Sequence, residues 1–315
     1  MKKHTMTLLG GTRGELRVPA DVLLEAVGAL LEGARQATRF VVEGESTRKG
    51  PRPAWLDVAC RVEITGLTAG SAVVALEAPT LADVAPERFG GAHQVSLFVE
   101  AQRLIEASSS AVDLFAGVLA SVVKGDRDRV LADRALLDTC VRFARAARDG
   151  FHGIQLEGIA GLDAPLVVRR DEVGKIELLR DETPDPKAVR VTGTLDTISA
   201  TKSDVVLTLA DGTAVAARLD ARDNEQLKTL FGSRVVVAGM AQFRPSGKLL
   251  VIDVEYLGPA RAGDTVFEST PKATARKPVA SWVPQDEATG VSAFFGTWPG
   301  DETDEELLGA LEAIR

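Results

Sequence analysis

The side chains that nucleophilic or metal chemistry would draw on are few in this 315-residue sequence: two cysteines and three histidines, with scattered serines. Cys60 and Cys140 share no Cys-x-x-Cys spacing, and His4, His93 and His152 are equally far apart, which argues against a zinc cluster. His4 lies in the N-terminal segment, His93 follows Gly90-Gly91 and His152 precedes Gly153. None adjoins a nucleophile motif, so each reads as a solvated or capping side chain. Ser109 and Ser110 sit in an Ala/Ser-rich stretch and read as close-packing residues. Both thiols fall on apolar faces, where cysteine behaves as a small hydrophobe. The stretch LLGGTRGEL lacks the Lys-Ser/Thr ending of a phosphate loop and reads as a turn. The acids Asp301, Glu302, Asp304, Glu305 and Glu306 enter a helical first turn, where they favour the dipole more than a metal. The expectation is a protein that is not an enzyme, with no cofactor and no metal.

Binding chemistry is better represented. Arg190, Lys202, Phe243, Arg244 and Lys248 could supply cations and one stacking ring to a single-stranded nucleic acid. Against this, residues 188–258 carry eight basic and eight acidic side chains. A second group lies near the C-terminus. Phe294, Phe295 and Trp298 are three aromatics within five residues, in a chain with only 5% aromatics. Pro299 stiffens the backbone beside Trp298, and Leu307, Leu308, Leu311 and Ile314 share one helical face. Such aromatic anchors are typical of protein-binding hot spots.

The elements that must position these residues follow from periodicity. Leu23, Val27, Leu30, Leu31 and Ala34 at helical spacing predict a helix over about residues 20–43, headed by Pro19. Leu56, Val58, Cys60, Val62 and Ile64 alternate with polar residues, which predicts a half-buried strand with Cys60 inward. SAVVALEA, after Gly70-Ser71, predicts its hairpin partner. A helical stripe from Phe98 through Ser108 and Phe115 to Val122 predicts a helix over 94–124, ended by Gly125. A further helix is expected over 129–148, antiparallel to it, burying Leu137, Cys140, Val141 and Ala144. Gly153–Leu156, Pro165–Arg169 and Lys175–Leu179 read as strands, and DETPDPK reads as a linker.

Residues 188–258 are the most regular. Three alternating strands come first, the last two joined by Asp211-Gly212, a strong two-residue hairpin signal. A short helix over about 223–231 ends at Gly232. Two more strands flank Pro245-Ser246-Gly247. VRVTGTLDTI, LADGTAVAARL and GSRVVVAGMAQFRPSGKLLVIDV resemble the strands of a small OB-like barrel; the resemblance covers about 70 residues and is topological, which leaves other small five-stranded barrels open.

Beyond it, GPARAGDTVFESTPKATARKPVASWVPQDEATG has no periodicity and predicts a flexible linker with short docked pieces at Phe267 and Trp282. The ending GTWPGDETDEELLGALEAIR opens a helix with a Thr303/Glu306 capping box. It resembles the C-terminal segment of bacterial antitoxin-like proteins encoded beside PIN-domain ribonuclease toxins. The shared block is Gly296, Trp298, Pro299, Gly300, Asp301, Glu302, Thr303, Asp304, Glu305 and Glu306, followed by the leucine face. The resemblance implies that the tail wraps a toxin, with Trp298 and the leucines in contact. Antitoxins of this kind usually add a small DNA-binding module, and no ribbon-helix-helix or helix-turn-helix signature occurs here.

Composition sets the frame. Hydrophobic residues make up 45% and charged residues 26%, enough for real cores. The net charge is -8, of which residues 285–315 contribute -7. The N-terminal apolar run is too short for a signal segment, so the expected setting is soluble, reducing and cytoplasmic, with no membrane association. The expected fold class is α+β: a mixed α/β domain over 1–185, an OB-like barrel over 186–258, a flexible linker over 259–290 and a partner-binding tail over 291–315. The expected partner is a PIN-domain toxin, with nucleic acid on the barrel as the alternative; homo-oligomerisation, sensing or extra toxin contacts are roles open to the two folded domains.

Overall fold

The alternation HTMTLL at the start of the chain places His4, Met6 and Leu8 on one face of a strand, and all three are buried. In the computed structural model this strand, β1 (Lys2–Gly10), is the centre of an antiparallel sheet. Its companions are β2 (Glu63–Leu67), β3 (Val73–Ala78), β4 (Phe151–Glu157) and β5 (Leu166–Arg169), in the order β2-β3-β1-β4-β5. Register pairs Met6 with Val74 and Leu156, so the inward residues of three strands form one apolar layer. The structure describes residues 1–10, 18–47, 52–67, 72–89, 108–148, 151–199, 204–219 and 224–274.

Helix α1 (Ala20–Glu43) begins after Pro19 and stops at Gly44, whose φ of 76° lets its N–H reach the Phe40 carbonyl at 2.7 Å. Three short helices, α2 (Ala54–Ala59), α3 (Leu81–Val84) and α4 (Pro86–Phe89), precede α5 (Ala111–Lys124) and α6 (Arg134–Arg145). Both α5 and α6 pack against α1. They also meet edge to face through Phe115 and Phe143, with ring centroids 5.7 Å apart. Gly33 of α1 lies directly against the Phe115 ring, where any Cβ would collide with it. Helix α7 (Val173–Glu182) follows a 3₁₀ turn at Arg170–Glu172 and packs on α6.

Three sequence expectations need correction in this region. Ala54–Ala59 is a helix, not a strand, because Pro53 sets up a helical start and Leu56 and Cys60 sit four apart on its buried side. Val58 and Ile64, placed inward by a period of two, are each 54% exposed. The run Lys175–Leu179 is likewise helical, burying Ile176 and Leu179 three apart. The helix expected to run unbroken through Ser108 starts only at Ala111, with Ser110 as its N-cap; residues 94–107 lie outside the described set.

From Lys187 the chain forms a closed barrel of β6 (Lys187–Ser199), β7 (Asp204–Thr208), β8 (Ala214–Leu219), β9 (Arg234–Phe243) and β10 (Leu249–Pro259), with α8 (Asn224–Leu230) between β8 and β9. The circuit is β10-β8-β7-β6-β9, and β8 pairs in parallel with β10. The remaining pairings are antiparallel. This order is consistent with an OB-like barrel, so the α+β class with a closed five-stranded barrel stands. Asp211-Gly212 makes the expected turn, with Gly212 at a φ of 80° and the Asp211 carboxylate accepting from Thr213 N–H.

Two apolar cores result. One fills the sheet-helix region, and the other fills the barrel with Val191, Leu195, Val205, Leu207, Val235, Val237, Phe243 and Ile252. Leu250 and Val251 of β10 belong to the first core, whereas their neighbour Ile252 belongs to the second. The chain divides into two compact units, Met1–Lys277 and Pro278–Arg315, and the second lies outside the described residues.

Candidate functional site

Among the described barrel residues expected to hold a nucleic acid, the one ring is buried and two of the cations are engaged within the chain. Phe243 is 2% exposed inside the barrel core, so it is not available as a stacking ring. It follows the inward register of β9 with Ala241, which the end-of-strand position in the sequence concealed. The Arg244 guanidinium donates to the Asp128 carbonyl, and the Lys248 ammonium donates to the Asp128 carboxylate at 2.7 Å. That lysine holds the Asp128 carboxyl below its ordinary range, with Ser246 and Arg244 adding to the effect. Lys202 lies outside the described residues.

Arg190 lies on β6 with its side chain about half exposed. Its guanidinium sits 5.4 Å from the centroid of Phe267 and 3.9 Å from the Asp264 carboxylate. Both partners belong to the segment after β10. That segment contains a 3₁₀ turn at Ala262–Phe267. It is tied down further by Arg234 to Glu268, by Ala260 N–H to the Arg234 carbonyl at 3.0 Å, and by Ala273 N–H to the Gly247 carbonyl at 3.1 Å. Phe267 thus docks, while Trp282 lies outside the described residues.

Arg218 occupies a further part of the barrel's outer surface. Arg218 of β8, with its side chain 13% exposed, bonds the Asp253 carboxylate of β10 and the Glu43 carbonyl of α1 at 2.8 Å. Glu45 approaches it at 3.5 Å, and Gln242 donates to Asp253 at 2.9 Å. Leu250, Val251 and Ala216 complete an apolar contact with the sheet-helix core. OB-type barrels use the second and third strands and the loop joining the fourth to the fifth to bind ligands. Here that loop meets Asp128, and part of the third strand meets the chain's own helical region.

A polar constellation that the sequence did not reveal joins the start of β1 to the N-terminus of α5. The His4 Nε2 and Ser110 Oγ atoms are 2.8 Å apart, and Ser110 Oγ donates to the Asp113 carboxylate at 2.9 Å. Asp113 also accepts from Ser110 N–H and Ala160 N–H, each at 2.7 Å, and pairs with the Lys2 ammonium at 3.0 Å. These are the residue types of a hydrolytic triad in another wiring. With the serine proton directed at Asp113, the His4 Nε2–H donates to the serine instead of taking its proton. His4, Ser110 and Asp113 are all buried. Burial pushes the His4 pKa below its ordinary value of 6.5, the nearby Asp113 charge opposing that shift.

The remaining candidates resolve simply. His152 is exposed on β4, and His93 lies outside the described residues. Cys60 and Cys140 are buried free thiols. Burial raises Cys60 to about 11 and raises Cys140 as well, so neither is ready to form a thiolate. Among the described residues, no group of three or more His, Cys, Asp or Glu side chains is placed to hold a metal ion, and no helix is long and apolar enough to cross a membrane. The tail candidates Phe294, Phe295, Trp298, Pro299, Leu307, Leu308 and Leu311 all fall outside the described residues.

Comparison of the chain with protein-family models, with curated proteins and with solved structures finds no match.

Proposed function

We propose that this chain is an antitoxin-like protein that binds and neutralises a PIN-domain ribonuclease toxin through its C-terminal tail. The observation that carries the reading is the Trp298-Pro299-Gly300-Asp301-Glu302 block with its following acids and leucines, whose spacing resembles toxin-wrapping tails. In this reading Phe294, Phe295 and Trp298 are anchors, and Leu307, Leu308 and Leu311 cover the toxin with one helical face. Ordering of the tail on docking lowers affinity per unit area and makes inhibition reversible by proteolysis.

The test is co-expression with the product of the neighbouring reading frame, using the full chain and a version ending at Thr289. Retention of a small nuclease by the full chain alone, with loss of its RNA cleavage, is the expected result. Trp298→Ala should weaken retention by about thirtyfold or more, the size of a binding hot spot. Retention and protection by the shortened version would sink the proposal.

Single-strand nucleic-acid binding is a second reading, favoured by the strand order of the barrel. The burial of Phe243 and the use of Arg244 and Lys248 against Asp128 weigh against it. Salt-dependent oligonucleotide binding that is lost in Arg190→Gln would favour it.

A further inference from the structure

Strands β1 and β3 of the first sheet bury every second residue. His4, Met6 and Leu8 alternate with Thr5, Thr7 and Leu9, and the register carries both sets across the neighbouring strands. On the face turned from the core, one row runs Val73, Thr7, Gln155, Val167. The next runs Gly66, Ala75, Thr5, Glu157. Leu9 stands on this face too, its Cδ1 atom 3.6 Å from where a Gly153 Cβ would lie. Leu9, Val73 and Val167 are partly exposed and belong to neither apolar core. The second face of an antiparallel sheet is ordinarily polar, whereas small uncharged side chains fill the middle of this one, a composition suited to contact.

Charge sits at the border of this face. Glu63 and Glu77 stand directly opposite one another at one corner, with Lys3 beyond Glu77 and the exposed Arg61 3.4 Å from Glu63. At the diagonally opposite corner is Arg169, which is paired with Gly153 and alternates with the buried Val168, so it shares the face of Leu9. Strand spacing and rise make the face about 19 Å across and about 20 Å along the strands. Because it is nearly square, a two-fold axis in its plane can exchange the two charged corners, with the strands of two copies crossing at about 90°, one of the standard packings of sheets. That operation lays Arg169 over Glu63 and Glu77, brings Lys3 within reach of Glu157, and sets the small middle rows on each other. We propose that this face binds a second copy of the chain as an isologous dimer, with Thr7 near its centre and Arg169 of each copy against Glu63 and Glu77 of the other. The patch is at the small end of specific interfaces, so the dimer is expected to exchange with monomer. It uses none of the tail residues and stands or falls separately from the toxin-binding reading.

The test is sedimentation velocity on the full-length protein over a wide range of concentration, where a monomer–dimer equilibrium is expected. Thr7→Arg puts a long charged side chain near the centre and should leave monomer alone at concentrations where the parent is dimeric, with the unfolding midpoint of the dilute parent retained. Arg169→Glu sets like charges against Glu63 and Glu77 and should weaken association about tenfold. Adding Glu63→Arg to Arg169→Glu should recover most of that loss. Arg169 and Glu63 are both exposed, so these two changes decide the matter even where Thr7→Arg does not fold. A chain that stays monomeric at every concentration overturns the proposal. So does a dimer that a folded Thr7→Arg variant retains, one that Arg169→Glu leaves unchanged, or a loss that the charge exchange fails to recover.

Discussion

The His4 ring is held between a serine that caps α5 and the end of β4, and its neutral form is the one the fold accepts. The unfolded chain titrates near the ordinary value of 6.5, whereas the folded chain takes the proton only at lower pH. As pH falls below about 6.5 the unfolded state binds the proton first, so this residue's contribution to stability declines in that direction and is complete above it. The urea midpoint is expected to fall between about pH 7.5 and about pH 5.5, and His4→Gln should flatten that fall. An unchanged slope in the variant would mean that other groups carry the acid sensitivity. None of this was legible in the sequence, since His4 and Ser110 are 106 positions apart and only the sheet register and the start of α5 unite them. The sequence reading of His4 as solvated or capping missed its burial for the same reason.

At the scale of elements, the barrel was read almost strand for strand, and the first region was not. The difference is physical. Over most of their length the barrel strands bury every second residue, so their period of two is clean, and Asp211-Gly212 fixes a register between two of them. Ala54–Ala59 is short, and a short run fits both periods; Leu56 and Cys60 satisfy a helix as well as a strand. Tertiary packing decided between them. The contacts that seat the barrel on the helical region also differ in weight. Arg218 is mostly buried and bonds a carboxylate and a carbonyl, so Arg218→Ala should lower stability by about 2 kcal/mol. Lys248 and Asp128 are both at least half-exposed, so Lys248→Ala should cost under about 1 kcal/mol. Denaturant melts of the two variants distinguish these values, and equal losses would contradict the assignment of Arg218 as the stronger anchor.

For the whole molecule, the sequence reading separates residues 1–185 from a barrel; the first barrel strand starts at Lys187, and both regions belong to one compact unit, Met1–Lys277. What the sequence could not convey is that the first core draws Leu250 and Val251 from a strand of the second. Val251 alternates with Ile252 and so faces out of the barrel, where the first core covers it in place of solvent. A fragment ending at residue 185 lacks Leu250, Val251 and the Arg218 anchor. It should unfold with lower cooperativity than the chain ending at Lys277, and should bind a hydrophobic dye that the longer chain excludes. A fragment that melts as sharply as the longer chain would show that the shared strand adds little.

Sharing β10 between the cores also imposes an order on synthesis. The helical region is translated first, yet its last apolar residues are among the final ones of the 277-residue unit to leave the ribosome. Until Val251 emerges, a nascent chain carries a nearly finished sheet and helix layer with an uncovered apolar patch, which is the kind of surface that chaperones hold and that neighbouring nascent chains can capture. Folding of this protein is therefore expected to close late and over both cores together, with slow translation upstream of residue 250 prolonging the exposed stage.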